Sequence, residues 1–214
     1  MSSATSCSLR LHERRLHALR RGPCHLYRVV GRILPSADPC TFCQPLQHLP
    51  VGVATIAGIQ AGEGKLYLCA IKDACGNRIV GYSIDSRMKA RLAVTALNNA
   101  LARRGDVTGC VVHSDRGSQF SSRKFLNVLT THDLIGSMGK VGACGDNAAM
   151  ESFFSLLQKN VLDRQAWATR QELRTAIVTW IERTYHRRRR QAALGRLTPI
   201  EYETIMNTPA APAA

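Results

Sequence analysis

Apolar residues recur with a regular spacing from Gly62 onward, whereas the earlier part of the chain shows no sustained period. Two mostly apolar runs, Lys65–Lys72 and Arg78–Ile84, flank a turn at Asp73–Asn77 that contains Gly76. Apolar runs joined by such a turn are typical of an antiparallel hairpin. The regular part of the chain is therefore predicted to open with two paired strands.

Helical and strand-like patterns alternate after this hairpin. In the helical stretches, apolar residues lie three and four positions apart, which is the spacing of one helix face. The predicted helices cover residues 89–104, 121–131, 147–162, 171–190 and 198–206, and the predicted strands cover residues 107–112 and 135–138. Thr198 is the predicted cap of the last helix, with Pro199 at its first position. This order predicts an α/β fold with a mixed sheet flanked by helices, compatible with a ribonuclease H-like fold.

The same patterns divide the chain into three parts. Residues 1–60 are rich in Arg, Cys, Pro and His, and we predict an irregular basic segment there, either disordered or a frameshifted start. Residues 61–206 form the predicted core domain, and residues 207–214 form a predicted disordered tail.

The chain is strongly basic. Lys and Arg outnumber Asp and Glu by 29 to 15, which gives a formal net charge of +14 and a pI near 10.0. This balance points to a polyanionic partner, most simply nucleic acid. No apolar run approaches the roughly 18 residues that span a bilayer, and the N-terminal residues lack the apolar core of a secretory signal. We therefore expect a cytoplasmic protein with no membrane partner.

The eight cysteines do not indicate a disulfide framework. Cys69 and Cys110 fall within apolar, strand-like runs, where a free thiol behaves as a small hydrophobic group. Cys40 and Cys43 form one CxxC pair, but a structural zinc site needs a second ligand pair at suitable spacing. The adjacent Cys24–His25 pair fits that spacing poorly, so we do not predict a zinc site.

Two acidic residues stand where functional residues are often found. Asp115 lies in HSDRGSQF directly after a predicted strand, and Gly117 allows a tight turn there. Functional residues of open α/β sheets gather at the carboxyl ends of strands. Glu151 lies in GDNAAMESFF near the start of a predicted helix, opposite its apolar face, and 35 residues separate it from Asp115. Singly, the first could be an ordinary turn residue and the second a partner of the helix dipole.

Four motifs taken together resemble the transposases of bacterial insertion sequences, relatives of the retroviral integrases. They are GEGKLYLCAIKDACGNRIVGYSID at the hairpin, HSDRGSQF, DNAAMESFF, and YHRRRRQAALGRLTPIEYE near the C-terminal end. The motifs span about two-thirds of the chain and follow the family's order. The resemblance implies a ribonuclease H-like integrase catalytic core that acts on DNA as a multimer, either of this chain or with intact transposase subunits.

The resemblance also implies a metal site. The family holds two divalent ions, Mg²⁺ or Mn²⁺, with two Asp and one Glu, because hard cations prefer carboxylate oxygens. Such an ion pair stabilises the attacking and leaving oxygens of a displacement at phosphorus. By resemblance, Asp115 is the second catalytic and metal-binding acid and Glu151 is the third.

The family's first catalytic Asp, in a motif like W-x-x-D-I-T, has no counterpart in this sequence. Counting back from Gly62, Thr55 falls about where that Asp is expected, and Val51–Ala61 contains no Asp or Glu. Thr brings no charge to offset two divalent ions. Glu63 and Asp73 are the nearest substitutes, but both match turn positions. The sequence therefore predicts a degraded transposase with impaired strand transfer.

Basic residues near the site and after the long helix are the predicted DNA contacts. They are Lys140, Lys159, Arg187, Arg188, Arg189 and Arg190. Arginine suits bidentate phosphate contact, although four consecutive Arg can also be a solvated helix end that complements the helix dipole.

Three functions remain open at this stage: an active transposase subunit, a non-catalytic DNA-binding remnant, and a ribonuclease H-like nuclease with another role. The motifs after Glu151 argue against the nuclease, and the missing Asp favours the remnant over the active enzyme. The expected location is the bacterial cytoplasm, in association with the nucleoid.

Overall fold

The computed structural model describes residues 51–105, 107–138 and 148–207. Most of the predicted N-terminal segment, the tail from residue 208 onward and Lys140 lie outside these residues, as do the CxxC pair and the Cys24–His25 pair.

A five-stranded mixed sheet, in the order β3-β2-β1-β4-β5, forms the centre of the described structure. Its strands are β1 (Val51–Ala61), β2 (Gly64–Asp73), β3 (Ile79–Asp85), β4 (Val111–Ser114) and β5 (Ile135–Met138). The first three strands form an antiparallel meander, because short turns join them. Strand β4 pairs in parallel with both β1 and β5, and parallel neighbours need longer crossovers that contain helices.

Five α-helices are described: α1 (Ala90–Arg104), α2 (Arg123–Thr131), α3 (Ala148–Asn160), α4 (Arg170–Thr179) and α5 (Pro199–Asn207). Helices α1 and α2 contribute to one apolar cluster with the sheet, and α3 and α4 contribute to a second. The two clusters occupy opposite faces because side chains alternate along a strand.

Strand β2 shows this alternation directly. Cys69 and Ile71 belong to the cluster under α1 and α2, whereas Leu68 and Ala70 belong to the cluster under α3 and α4. The sheet is therefore covered on both faces, which explains why its strands read as nearly continuous apolar runs.

The predicted helix over residues 171–190 differs from the structure at its C-terminal end. Helix α4 passes at Trp180 into a π-helical segment, Trp180–Tyr185. The end of this wider turn is fixed by two contacts with the β2–β3 region: the Tyr185 hydroxyl donates to the Asn77 carbonyl at 2.9 Å, and His186 Nε2 accepts from the Ile79 amide at 3.1 Å. The wider turn lets Trp180, Ile181 and Tyr185 all pack into the core.

Two strand boundaries also differ from the predictions. Strand β1 occupies Val51–Ala61, so the core begins about ten residues earlier than the predicted boundary at residue 61. Strand β4 begins at Val111 rather than Val107, because Val107 accepts from the Cys110 amide in a turn in which Gly109 has a φ of 77°. Val107 is buried in this turn, which explains why the apolar pattern of residues 107–112 predicted a longer strand.

The predicted start of the last helix is confirmed. The Glu201 amide donates to Thr198 Oγ1 at 3.2 Å, and the Thr198 amide donates to Glu201 Oε2 at 2.9 Å. This reciprocal pair is a capping box, with Pro199 at the first helical position.

Candidate metal and nucleic-acid site

The pairing of β1 with β4 brings Thr55 next to Asp115. The last paired residues of these parallel strands are Ala54 and Ser114, so Thr55 is the next residue of β1 and Asp115 directly follows β4. Thr55 is half-buried and Asp115 is exposed. The Asp115 carboxylate accepts from the Gly117 amide at 2.8 Å, which holds the tight turn after β4.

Helix α3 covers the sheet face onto which Thr55 points. Val53 of β1 packs in one cluster with Met150 and Phe153 of α3, and alternation along the strand turns Thr55 to the same face. Met150 and Phe153 are fully buried, whereas Glu151 in the first turn of α3 is exposed. Asp115 and Glu151 therefore belong to elements that both border β1.

Lys72 connects this helix to the sheet. It pairs with Val53 in the β1–β2 register, only 5% of its surface is exposed, and its Nζ donates to the Ala149 carbonyl at 3.0 Å. Burial lowers the pKa of Lys72 to about 8, and the nearby Asp73 charge opposes this shift. The sequence analysis missed this residue, although a Lys inside an apolar strand was an available signal.

The two candidate substitutes for the missing carboxylate are engaged elsewhere. Glu63 accepts from the Arg170 amide at 3.1 Å at the start of α4. Asp73 is fully buried, where it accepts from the Cys75 amide at 2.8 Å and pairs with Arg104 at 3.3 Å. Burial raises the pKa of Asp73 despite the Arg104 charge. Asp73 pairs with Gly52, three residues before Thr55 along β1.

Comparison with known proteins identifies the family. One profile of the integrase core domain matches residues 45–144, and a second profile with the same description matches residues 134–199. The chain belongs to the integrase core domain family. The motif-based identification as an insertion-sequence transposase relative is thereby confirmed.

Two curated relatives come from insertion sequences. Transposase InsF for insertion sequence IS3A, from Escherichia coli strain K12, is 37% identical over 148 residues, which cover 69% of this chain and 51% of the relative. The insertion element IS600 uncharacterized 31 kDa protein of Shigella sonnei is 35% identical over 170 residues, which cover 79% of this chain and 62% of the relative. This integrase core thus spans about half to two-thirds of the length of these relatives.

Solved structures share its fold. A chain of the simian T-cell lymphotropic virus intasome in complex with PP2A regulatory subunit B56 gamma aligns with a TM-score of 0.59 at 15% identity, over 80% of this chain and 60% of that chain. The trimeric form of the HTLV-2 integrase catalytic core domain in complex with magnesium aligns with a TM-score of 0.57 at 16% identity, over 75% of this chain and 97% of that chain. The fold is therefore that of a ribonuclease H-like integrase core, as the sequence predicted.

The described residues of this integrase core do not fit a two-ion site. Within residues 51–105, 107–138 and 148–207, no group of three or more His, Cys, Asp or Glu side chains is arranged to hold a metal ion. Metal-dependent integrase cores need several carboxylate oxygens for hard cations. Asp115 and Glu151 are the acids that the sequence predicts for this site, and Thr55, which lies next to Asp115, has no carboxylate.

Three cysteines lie within the part of the chain that the structure describes. Cys69, Cys75 and Cys110 form no disulfide there. Burial, with a smaller contribution from the charge of Asp115, raises the pKa of the Cys69 thiol well above its usual range. Cys69 is therefore a neutral core residue rather than a ligand.

The predicted DNA contacts among the described residues lie on two different segments of the chain. Lys159 is exposed in the last turn of α3. Arg187, Arg188 and Arg189 are exposed after the π-helical segment. Arg190 is also exposed, but its guanidinium donates to the Arg196 carbonyl at 3.1 Å and pairs with Glu201 at 3.2 Å. Arg190 therefore stabilises the turn before α5, whereas the preceding three arginines face outward.

No helix among the described residues is both long and apolar enough to cross a bilayer.

Proposed function

We propose that this chain is the DNA-binding core of an insertion-sequence transposase whose catalytic metal site is incomplete. In this proposal Asp115 and Glu151 are the two remaining catalytic and metal-binding acids. The observation that carries it is the position of Thr55, within β1, beside Asp115, which directly follows β4. Strand transfer by this chain is then absent or strongly reduced.

The charge of the site supports this reading. Two Mg²⁺ or Mn²⁺ ions carry four positive charges, and Asp115 and Glu151 offset only two of them. Thr55 offers a neutral hydroxyl oxygen, which compensates far less of the ions' lost hydration than a carboxylate does. We infer that this pair of acids retains at most weak binding of one divalent ion.

The net charge of +14 supports retained DNA binding. Exposed Arg187, Arg188, Arg189 and Lys159 offer phosphate contacts that need no metal. Such contacts bind DNA of any sequence and weaken steeply as salt rises, because each contact releases condensed counterions. DNA binding and catalysis are therefore separable in this protein.

A strand-joining assay tests the proposal. The purified chain is incubated with Mg²⁺ or Mn²⁺, an oligonucleotide of the element's own terminal repeat and a target duplex. We expect no joined product from the wild type and a measurable product from Thr55→Asp. The matched control is Thr55→Asn, which has a similar size but no charge, and the double variant Thr55→Asp with Asp115→Asn tests whether the gained activity uses the restored site.

Robust joining by the wild type would contradict an incomplete site. A silent Thr55→Asp variant that nevertheless folds and binds DNA would show that more than the first acid has been lost. Failure of the wild type to bind DNA at low salt would remove the nucleic-acid part of the proposal.

We also infer that the chain assembles with copies of itself or with intact transposase subunits. The HTLV-2 integrase core, which shares the fold, occurs in trimeric and dimeric forms. Because its relatives are bacterial transposases, we propose that such mixed complexes form on nucleoid DNA in the bacterial cytoplasm. Mixing the purified chain with an intact subunit is expected to reduce joining below the value for the intact subunit alone.

A further inference from the structure

Lys72 is a charged residue in the apolar part of the molecule. Its neighbours Ala70 and Ile71 on β2 are buried in the two clusters, and Lys72 itself is 5% exposed. Removing an ammonium group from water carries a large free-energy cost unless hydrogen bonds compensate it. The charged Lys72 ammonium group therefore needs a specific contact that compensates its lost hydration.

The compensating contact is made with the helix that carries Glu151. Lys72 Nζ donates to the Ala149 carbonyl at 3.0 Å, and Ala149 lies two residues before Glu151 in the first turn of α3. In an α-helix this carbonyl also accepts from the amide four residues later, that of Phe153. The ammonium thus uses the second lone pair of a carbonyl in the first helical turn.

The position of this contact in the sheet relates it to the site. Lys72 pairs with Val53 on β1, and Val53 pairs in turn with His113 on β4. This row lies two residues from Thr55 and Asp115 along the same strands and on the same face. The contact therefore ties the start of α3 to the sheet at β2, with β1 lying between it and β4, and one repeat of the pleat from the row of Thr55 and Asp115.

We propose that Lys72 is a positioning residue for Glu151, whose ammonium group holds the first turn of α3 over the rim of the sheet where Asp115 lies. The inference rests on the proposed function only in taking Asp115 and Glu151 as the site. Lys72 touches neither carboxylate in this arrangement and acts through the backbone of α3.

Replacing a purely structural lysine changes the stability of the whole fold, whereas replacing a positioning lysine changes the stability of one part of it. Lys72→Met keeps the apolar stem and removes the buried charge, so global stability can remain equal or rise. If Lys72 positions α3, the loss is local to the start of that helix. The matched control is Lys65→Met, which alters an exposed lysine on the same strand.

Amide hydrogen exchange on the full chain provides the first readout. In Lys72→Met we expect exchange at residues 152–155, which bond to the first-turn carbonyls, to accelerate about tenfold, as loss of one charge-assisted hydrogen bond implies. The β1–β2 ladder and the Lys65→Met variant should keep wild-type rates. Wild-type exchange at residues 152–155, or an equal acceleration throughout the sheet, would overturn the proposal.

Joining kinetics in the Thr55→Asp background provide the second readout. Adding Lys72→Met should lower kcat about tenfold or more and leave the KM for DNA unchanged, because misplacing one acid affects the reacting centre rather than DNA binding. An unchanged kcat would overturn the proposal. If Thr55→Asp is itself inactive, more than the first acid has been lost, and the exchange measurement alone still decides the role of Lys72.

Discussion

Thr55 is the neighbour of Asp115 across two parallel strands, one residue beyond the last register pair of β1 and β4. Asp115 directly follows the carboxyl end of β4, which is where α/β proteins collect functional groups, whereas Thr55 lies within β1. The side chain at position 55 therefore affects the negative charge next to Asp115. The Thr55 hydroxyl adds no charge there.

Restoring the carboxylate at position 55 should restore metal binding. Because the Asp115 edge would then present three acids, we expect Mg²⁺ or Mn²⁺ to raise the melting temperature of Thr55→Asp and leave that of the wild type nearly unchanged. An ion present at 100 times its Kd stabilises the folded state by about 2.7 kcal/mol. Differential scanning fluorimetry with and without the ion measures the shift.

The neutral variant Thr55→Asn serves as the control for this shift, and calcium serves as a second, larger hard cation. Equal ion-induced shifts in the wild type and in Thr55→Asp would contradict the expectation, because the wild-type site would then already be complete.

Much of the fold was predictable because most helices have one apolar face and the strands are buried on both sides. Strand β5 occurs at the predicted residues 135–138, and Thr198 caps the last helix as predicted. Periodicity did not predict strand β1, because its small and aliphatic residues in Val51–Ala61 carry no period that distinguishes them from the preceding segment. Only the family resemblance placed the first strand there. The π-helical segment depends on long-range contacts of Tyr185 and His186, which periodicity alone does not contain.

The candidate site was accessible from sequence only through motifs. The positions of Asp115 and Thr55 follow from the family pattern, and their adjacency in the structure follows from the β1–β4 register. Lys72 was missed because its partner is a backbone carbonyl 77 positions later in the chain. No local pattern reports a side chain that bonds to the backbone of a distant helix.

Arg104 is expected to be the most sensitive charged residue of the described core. Its guanidinium pairs with Asp73 and Glu203, and the side chains of these acids are 0% and 7% exposed. Arg104→Met leaves both acids buried, and the ion pair of Arg78 with Glu203 remains. Removing one partner of a buried ion pair costs about 3–5 kcal/mol, and urea unfolding measures the loss.

The control for this substitution is Arg91→Met. The Arg91 side chain is 79% exposed and pairs with Asp85 at 2.7 Å. Exposed pairs contribute between about 0 and 1 kcal/mol. Similar destabilisation by the two substitutions would mean that water reaches the ion pairs of Arg104 with Asp73 and Glu203 in solution.

Stability should fall in mild acid because of His186. Its Nε2 accepts from the Ile79 amide and its Nδ1 donates to Glu182, so the neutral ring fits its surroundings. Burial lowers the pKa of His186 in the folded state, and the unfolded state therefore binds a proton more readily. The stabilisation is fully present above the unfolded pKa of about 6.5. It declines as pH falls from there toward the folded pKa, by at most about 1.4 kcal/mol per pH unit.

Urea unfolding between pH 5 and 8, together with an NMR titration of the histidine rings, measures this effect. A His186 ring that becomes protonated at or above the ordinary histidine pKa of about 6.5 would contradict the buried neutral tautomer.

Gly81 permits the close approach of β3 and α1. A Cβ at this position would lie 2.2 Å from the Ala96 carbonyl oxygen and 2.7 Å from the Ala100 Cβ. Both neighbours belong to a helix packed on the sheet, so neither can move without shifting α1. Gly81→Ala should therefore destabilise the fold by about 1–3 kcal/mol or more. The control is Gly58→Ala, where the added Cβ meets the Tyr67 ring at 3.3 Å and the ring can move aside, and an equal loss in the two variants would contradict the argument.

The salt dependence of DNA binding should identify which arginines contact phosphate. Arg187, Arg188 and Arg189 are exposed, whereas Arg190 already bonds to Glu201 and the Arg196 carbonyl. Replacing the first three by Gln should make the slope of log K against log salt shallower by about 0.9 for each phosphate that the protein no longer neutralises. Arg190→Gln should leave that slope unchanged and lower the melting temperature slightly. Fluorescence anisotropy with a labelled duplex of arbitrary sequence, measured from low to high salt, gives both slopes. An unchanged slope in the triple variant would mean that these arginines only form a solvated helix end, and that the DNA-binding charge lies elsewhere on the chain.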